Sequence, residues 1–267
     1  MEEKPAQNYT VPSEGGLSGV IITHNAERYL EKVLIALRQI CDEVVVVDCG
    51  SQDATERIAR RMGARFFLKA WQGYGAQKNW GIQQARGGYI LSIDADEVPD
   101  ETLLQSIRAA RQAGLKGVYR INRLPFWCGR PVRHSGWYPD RKVRLFPKGQ
   151  ACWSQDPVHE RLLYPPHVPV QDLEGHLFHF TYHSIQEHEE RTQNYARLAA
   201  GKLSTQNTWR LRWGMWVKPP LKFITHWLVR GGFLDGTAGW HIARISALGV
   251  WWRYQEAWTL KTQKSAL

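Results

Sequence analysis

The stretch "DEVVVVDCGSQDATERIARRMGA" (residues 42–64) holds the pattern on which the fold turns. Four consecutive valines run into Asp48, a polar turn with Gly50 follows, and a helical segment opens at Asp53 and closes at Gly63. An unbroken β-branched run is a strand buried on both faces, and Asp and Gly are capping residues at helix ends. The pattern recurs on either side. "LSGVIITHN" (17–25) reads as strand and loop, and the next segment sets Leu30, Val33, Leu34 and Leu37 at helical spacing. "ARFFLKA" (64–70), "GAQKNWGIQQARGG" (75–88) and "YILSIDADE" (89–97) add a strand, a helix and a strand. Such alternation predicts an α/β fold, a parallel sheet with helices on both faces. Ligands of these sheets bind at the carboxyl ends of strands. Polar residues gather at three such ends: Thr23 to Asn25, Asp48 to Asp53, and Asp94 to Glu97.

Composition narrows the partners. The net charge of +10 over 267 residues favours nucleic acid, a phosphorylated substrate or an anionic membrane surface. The acids at two of these strand ends would repel nucleic acid, so no nucleic-acid partner is expected. Four scattered cysteines without CxxC spacing read as reduced thiols, which suits the cytoplasm. Residues 1–16 lack the apolar core of a secretory signal, and no apolar run reaches membrane-spanning length. After Trp209 the chain mixes tryptophan with Arg and Lys. That mixture suits a segment lying in the plane of an anionic leaflet. Packing of the tryptophans on protein is the competing explanation.

Extended residues i and i+2 point the same way, so Asp94 and Asp96 would aim two carboxylates at one side. A hard divalent cation would offset their repulsion. The other reading makes them loop acids before a helix capped by Asp100. "GYGAQKN" (73–79) is a Gly-rich approach to a helix with Lys78 available to a phosphate, though it is neither a Walker nor a Rossmann motif.

"VIITHNAERYLEKVL" (20–34), "EVVVVDCGSQDAT" (43–55) and "GYGAQKNWGIQQARGGYILSIDADE" (73–97) together resemble the nucleotide-sugar-dependent family 2 glycosyltransferases of the GT-A fold. "SIDADE" (92–97) is similar to their DxD motif. Within that family the resemblance is to the lipopolysaccharide inner-core β-1,4-glucosyltransferase branch. It continues through "RHSGWYPDRKVRLFPKG" (133–149), "VHERL" (158–162), "HLFHFTYHS" (176–184) and "GGFLDGTAGW" (231–240).

The resemblance implies a GT-A catalytic domain over residues 17–183, with a donor half 17–116 and an acceptor half 117–183. A flexible N-terminus (1–16) precedes it, and a helical, Trp-rich extension (184–267) follows. It further implies an inverting transfer of a sugar, glucose, from a nucleoside-diphosphate sugar, with UDP favoured, to a lipid-linked inner-core heptose. Another glycan or a polyprenyl-linked acceptor is the alternative, and a non-catalytic sugar-nucleotide-binding protein a further one. The cofactor implied is Mg²⁺ or Mn²⁺, with Asp96 as direct ligand and His179 as a candidate to complete the shell. A buried, hydrogen-bonded histidine is the alternative for His179. Donor contacts fall on Thr23, His24, Asn25, Asp48, Lys78, Asn79 and Asp94. Cys49 stands where many relatives carry a second acid, which puts nucleotide preference in question. His24 stands where many carry tyrosine, and it either stacks on the base or faces solvent. The general base falls on Glu160, ahead of Asp140 and then Asp156. Arg133, Trp137, Tyr138 and Arg144 are the acceptor contacts, and Glu97 is read as a helix-entry acid. The expected location is cytoplasmic, peripheral at the inner face of the cytoplasmic membrane.

Overall fold

The structure, a computed structural model, describes residues 16–156 and 160–265. It divides into two units, one containing the chain up to Arg123 together with Arg141–His179, the other Leu124–Asp140 and everything from Phe180 onward.

The first unit opens with the expected alternation: β1 (Leu17–Thr23), α1 (Glu27–Leu37), β2 (Glu43–Asp48), α2 (Thr55–Arg61), β3 (Arg65–Leu68), α3 (Tyr74–Gln84), β4 (Tyr89–Asp94). A three-residue strand β5 (Glu97–Pro99) and α4 (Glu101–Gln112) follow. Asp100 caps α4 by accepting the Leu103 N–H at 2.8 Å. The helix expected to open at Asp53 instead has Ala54 at its cap. Asp53 sits one residue earlier and accepts the N–H groups of Thr55 and Glu27, each at 3.0 Å, tying the starts of α1 and α2 together.

The sheet order is β3-β2-β1-β4-β8-β6-β11-β5, the later strands being β6 (Val118–Trp127), β8 (Asp140–Pro147) and β11 (Val170–Tyr182). Strands β1 to β4 are parallel, and β8 runs antiparallel to β4. The chain moves outward from β1 to β3 and then returns to β4 on the other side of β1, so the strand order reverses there. Register aligns Thr23 with Asp48 and Ile22 with Asp94. The polar ends of three strands therefore meet at one edge, at the reversal, where doubly wound sheets bind ligands.

The valine run is explained by the two sheet faces. Val44 and Val46 pack in one core with Leu30, Leu34, Ile58 and Leu104, whereas Val45 and Val47 pack in another with Ile82, Phe146 and Trp153. On a strand successive side chains alternate, so both parities must be apolar. Gly81 lets α3 lie close on the sheet: a Cβ there would stand 2.7 Å from a Val20 methyl.

The second unit contains the short strand β7 (Arg130–Pro131), paired with the end of β6, and three helices. These are α5 (Ile185–Leu203), α6 (Thr208–Ile224) and α7 (Gly236–Ser265). Ser184 caps α5 by accepting the Glu187 N–H at 3.0 Å. A π-helical turn (Thr225–Val229) and a 3-10 turn (Gly232–Asp235) separate α6 from α7. Gly214 of α6 lies against the Tyr254 ring of α7, too close for any side chain. No helix among the described residues is long and apolar enough to cross a membrane.

Candidate active site

A cavity of about 860 Å³ opens in the first unit, lined by Asp94, Arg123, Arg144, Trp153, Glu160 and Arg161 among others. Its floor is a row of alternating charges. Glu160 Oε1 accepts from Lys78 Nζ at 2.9 Å, and the same ammonium lies 3.0 Å from Asp94 Oδ1. Asp94 Oδ2 pairs with Arg144 Nη2 at 2.9 Å, and that nitrogen reaches Glu97 Oε1 at 2.6 Å. Arg123 closes the row on Glu97 at 2.9 Å. Side-chain exposure falls to 3% at Lys78, 4% at Arg144 and 0% at Glu97. Charges so withdrawn from water persist only when paired and hydrogen-bonded. The Trp153 ring backs the row, with Lys78 Nζ 4.5 Å from its centroid.

Burial pushes the Asp94 and Glu97 carboxyls upward. For Asp94, Lys78 and Arg144 outweigh burial and hold the group well below the carboxylate range. For Glu97, Arg144 and Arg123 outweigh both burial and the Asp94 charge, and the net direction is again downward. Arg144, itself disfavoured by burial, is held above its ordinary value by Glu97 and Asp94.

Asp96 takes a different direction from Asp94. Ala95 and Asp96 form a turn between β4 and β5, so the extended i, i+2 geometry expected for the two acids does not apply. The Glu97 carboxylate accepts the Asp94 N–H at 2.9 Å and closes this turn. The antiparallel pairing of β5 with β11 sets His179 opposite Glu97, and His179 Nε2 comes within 3.6 Å of Asp96 Oδ2. Burial disfavours the His179 imidazolium, but the Asp96 and Glu97 carboxylates outweigh it and raise its pKa above the usual histidine value. Among the described residues no third His, Cys, Asp or Glu joins this pair into a three-ligand cluster. One carboxylate and one imidazole still suit a divalent ion that completes its shell with diphosphate oxygens and water.

At the ends of β1 and β2 the Asp48 carboxylate is filled from within. Oδ1 accepts the Gly50 and Ser51 N–H groups at 2.8 and 2.7 Å, and Oδ2 accepts the Thr23 and Ser51 hydroxyls at 2.7 and 2.5 Å. Burial opposes the charge, and these donors overcome it, so the group stays below its ordinary pKa. Asn25 links the same loops through Ser51 Oγ and the Gln52 N–H. His24 and Asn25 are exposed at this edge.

The residues assigned from sequence have the following partners. Asp48 and Thr23 organise the loop that a nucleoside would meet, because four donors already occupy the carboxylate. Lys78, assigned to a phosphate, bridges Asp94 and Glu160, and Asp94, assigned to the donor, is held by Lys78 and Arg144. Asn79 exchanges two hydrogen bonds with the Trp153 backbone, each 2.8 Å, and so fixes the strand β9 (Cys152–Trp153). Arg144, assigned to the acceptor, is buried in the ion row, and Glu97, read as a helix-entry acid, is fully buried. Arg133, Trp137, Tyr138 and Asp140 belong to the second unit. There the Arg133 N–H donates to Asp235, and the Trp137 ring lies 6.0 Å from that of Tyr182. Arg123, Trp153 and the buried role of Glu97 were missed. A signal for buried charge exists in "KVRLF" (142–146), where Arg144 stands between Val143 and Leu145 on a strand otherwise apolar beyond Lys142.

Comparisons with known proteins bear on the same segments. The sequence model of the family described as "Glycosyl transferase family 2" matches residues 18–160. The lipopolysaccharide core biosynthesis glycosyltransferase LpsC of Rhizobium meliloti (strain 1021) is 26% identical, over 89% of this chain and 93% of that protein. Among solved structures, Staphylococcus aureus TarS 1–349 aligns with 94% of this chain and 91% of that one, at 14% identity and a TM-score of 0.46. Glucosyl-3-phosphoglycerate synthase from Mycobacterium tuberculosis, solved with Mn²⁺, UDP and phosphoglyceric acid, is 22% identical with a TM-score of 0.35. That likeness covers 42% of this chain and 43%, less than half, of the other. Residues 18–160 are more than half of the 267, and the chain belongs to glycosyl transferase family 2: it is an inverting glycosyltransferase with a GT-A fold.

Proposed function

We propose that the protein transfers a sugar, glucose, from a nucleoside-diphosphate sugar, UDP favoured, to a heptose of a lipid-linked lipopolysaccharide inner core. The observation that carries this reading is the cavity at the end of β4, where Glu160 presents a carboxylate fixed by Lys78. The likeness to the R. meliloti core transferase supports the acceptor class.

In the proposed reaction Glu160 takes the proton from the acceptor hydroxyl as its oxygen attacks the anomeric carbon. The bond from that carbon to the diphosphate breaks on the opposite face, and the electron pair leaves with the nucleoside diphosphate. Asp96 and His179 would hold Mg²⁺ or Mn²⁺. When bound, such an ion neutralises the charge of the departing diphosphate as a Lewis acid. Lys78 orients the Glu160 carboxylate from the buried side. Thr23, Asp48 and Asn25 shape the loop edge on which the nucleoside rests. The lipid-linked acceptor sets the working location at the inner face of the cytoplasmic membrane, with residues 184–267 as the docking extension. Purified protein assayed with UDP-glucose, Mg²⁺ or Mn²⁺ and a heptose-bearing lipid core tests the reading. Transfer onto heptose is expected, and no transfer onto any lipid-core acceptor would overturn it.

A further inference from the structure

Helix α6 has two apolar sides. Leu211 and Gly214 are buried, the latter against the Tyr254 ring of α7. The other side carries Trp209, Trp213 and Trp216, exposed by 63%, 53% and 71%, and continues through exposed Pro220 and Ile224. Steps of four, three, four and four residues keep these five on one face of a helix with 3.6 residues per turn. The face leads on to Leu228, Val229, Phe233 and Leu234, each at least half exposed, in the turns that follow. Behind them Phe223, Trp227 and Trp240 form an aromatic cluster, with ring centroids 5.0 to 6.3 Å apart. Large contiguous apolar surface of this kind marks an interaction site.

Charge selects the partner. From Arg191 to Leu234 the sequence contains no Asp or Glu, and the exposed Arg210 and Arg212 flank the tryptophan face of α6, whereas Lys218 turns to the Tyr254 hydroxyl of α7. A protein surface would meet this cationic border with carboxylates placed residue by residue. An anionic bilayer meets it everywhere, and its interfacial zone takes up tryptophan. Pro219 and Pro220 carry no N–H, so the carbonyls of Met215 and Trp216 lose their usual helical donors.

We propose that the Trp209–Trp213–Trp216–Ile224 face of α6 lies in the plane of an anionic phospholipid bilayer, with the tryptophans at headgroup depth and the flanking Arg210 and Arg212 side chains on lipid phosphates. The proposal deepens the membrane location proposed above and names the surface that makes it. Its test needs no glycan acceptor, so it stands or falls separately from the transfer reaction. Full-length protein is sedimented with phosphatidylcholine vesicles with and without phosphatidylglycerol, beside the W213S/W216S variant. Both tryptophans are more than half exposed, so the fold is expected to survive, and unchanged UDP-sugar binding checks this. Binding to the anionic vesicles only, weakened roughly tenfold or more in the variant and by added salt, is the expected result. Quenching of tryptophan emission by brominated lipid is expected in the parent protein and reduced in the variant. Equal vesicle binding by parent and variant would overturn the proposal. So would an absence of vesicle binding, or a dimer that the double substitution dissolves while lipid binding is unchanged.

Discussion

In the first unit Glu97, Arg144 and Lys78 are withdrawn from water and held by one another, whereas in the second Trp209, Trp213 and Trp216 face solvent and the charges stand beside them. The ordinary partition of charge outside and hydrocarbon inside is reversed twice. Buried charge is costly unless it is paired, and a large exposed apolar patch marks an interaction site. The contrast separates the place proposed for the transfer from the place proposed for membrane contact.

Removing one partner from the buried row is the largest perturbation. Glu97→Ala leaves Arg144 and Arg123 without their shared carboxylate and is expected to cost about 3–5 kcal/mol, read by denaturant unfolding. A loss under about 1 kcal/mol would mean that the row is not a coupled unit. Acid probes the same row without mutation. Asp94 and Glu97 have folded pKa values below their ordinary 3.8 and 4.5. Their stabilising contribution is therefore complete above those values and is lost as pH falls through the depressed folded values. Unfolding free energy followed from pH 6 downward should drop below about pH 4, and more steeply in the parent than in Glu97→Gln.

Asp96→Asn leaves the row intact and removes a charge beside His179. The expected outcome is roughly tenfold weaker donor binding in Mn²⁺, by calorimetry, with metal-free binding unchanged. Equal losses with and without metal would place Asp96 on the sugar nucleotide itself. Thr23→Val is the smallest change, since three of the four donors to Asp48 remain. It should cost about 1 kcal/mol of stability.

The alternation of strands and helices was legible because apolar period and capping are local properties. Asp100 caps the helix that follows it, although the helix expected to open at Asp53 has Ala54 at its cap, and the valine run divides between two cores as a buried strand must. The row of charges was not legible. Arg144 meets Asp94 across 50 residues, through the antiparallel placement of β8 beside β4, and no local period encodes that neighbour. The i, i+2 spacing reads Asp94 and Asp96 as one extended pair, and the turn at Ala95 and Asp96 sends one to Lys78 and the other to His179. The segment Leu124–Asp140 follows the same logic: its sequence reads as part of the acceptor half, yet its contacts group it with the C-terminal helices. In particular, the buried Asp235 carboxylate accepts the Arg133 and His134 N–H groups and the Ser135 hydroxyl, about a hundred residues away in sequence.

In the proposed reaction Glu160 acts on the acceptor while the donor is held elsewhere in the site. Glu160→Gln separates the two when UDP-sugar affinity and the rate of transfer to a lipid-core acceptor are measured on the same preparation. Donor affinity is expected within about twofold of the parent, and transfer reduced by about 10²–10⁴. Transfer at the parental rate, or a loss of donor affinity that accounts for the loss of rate, would contradict it.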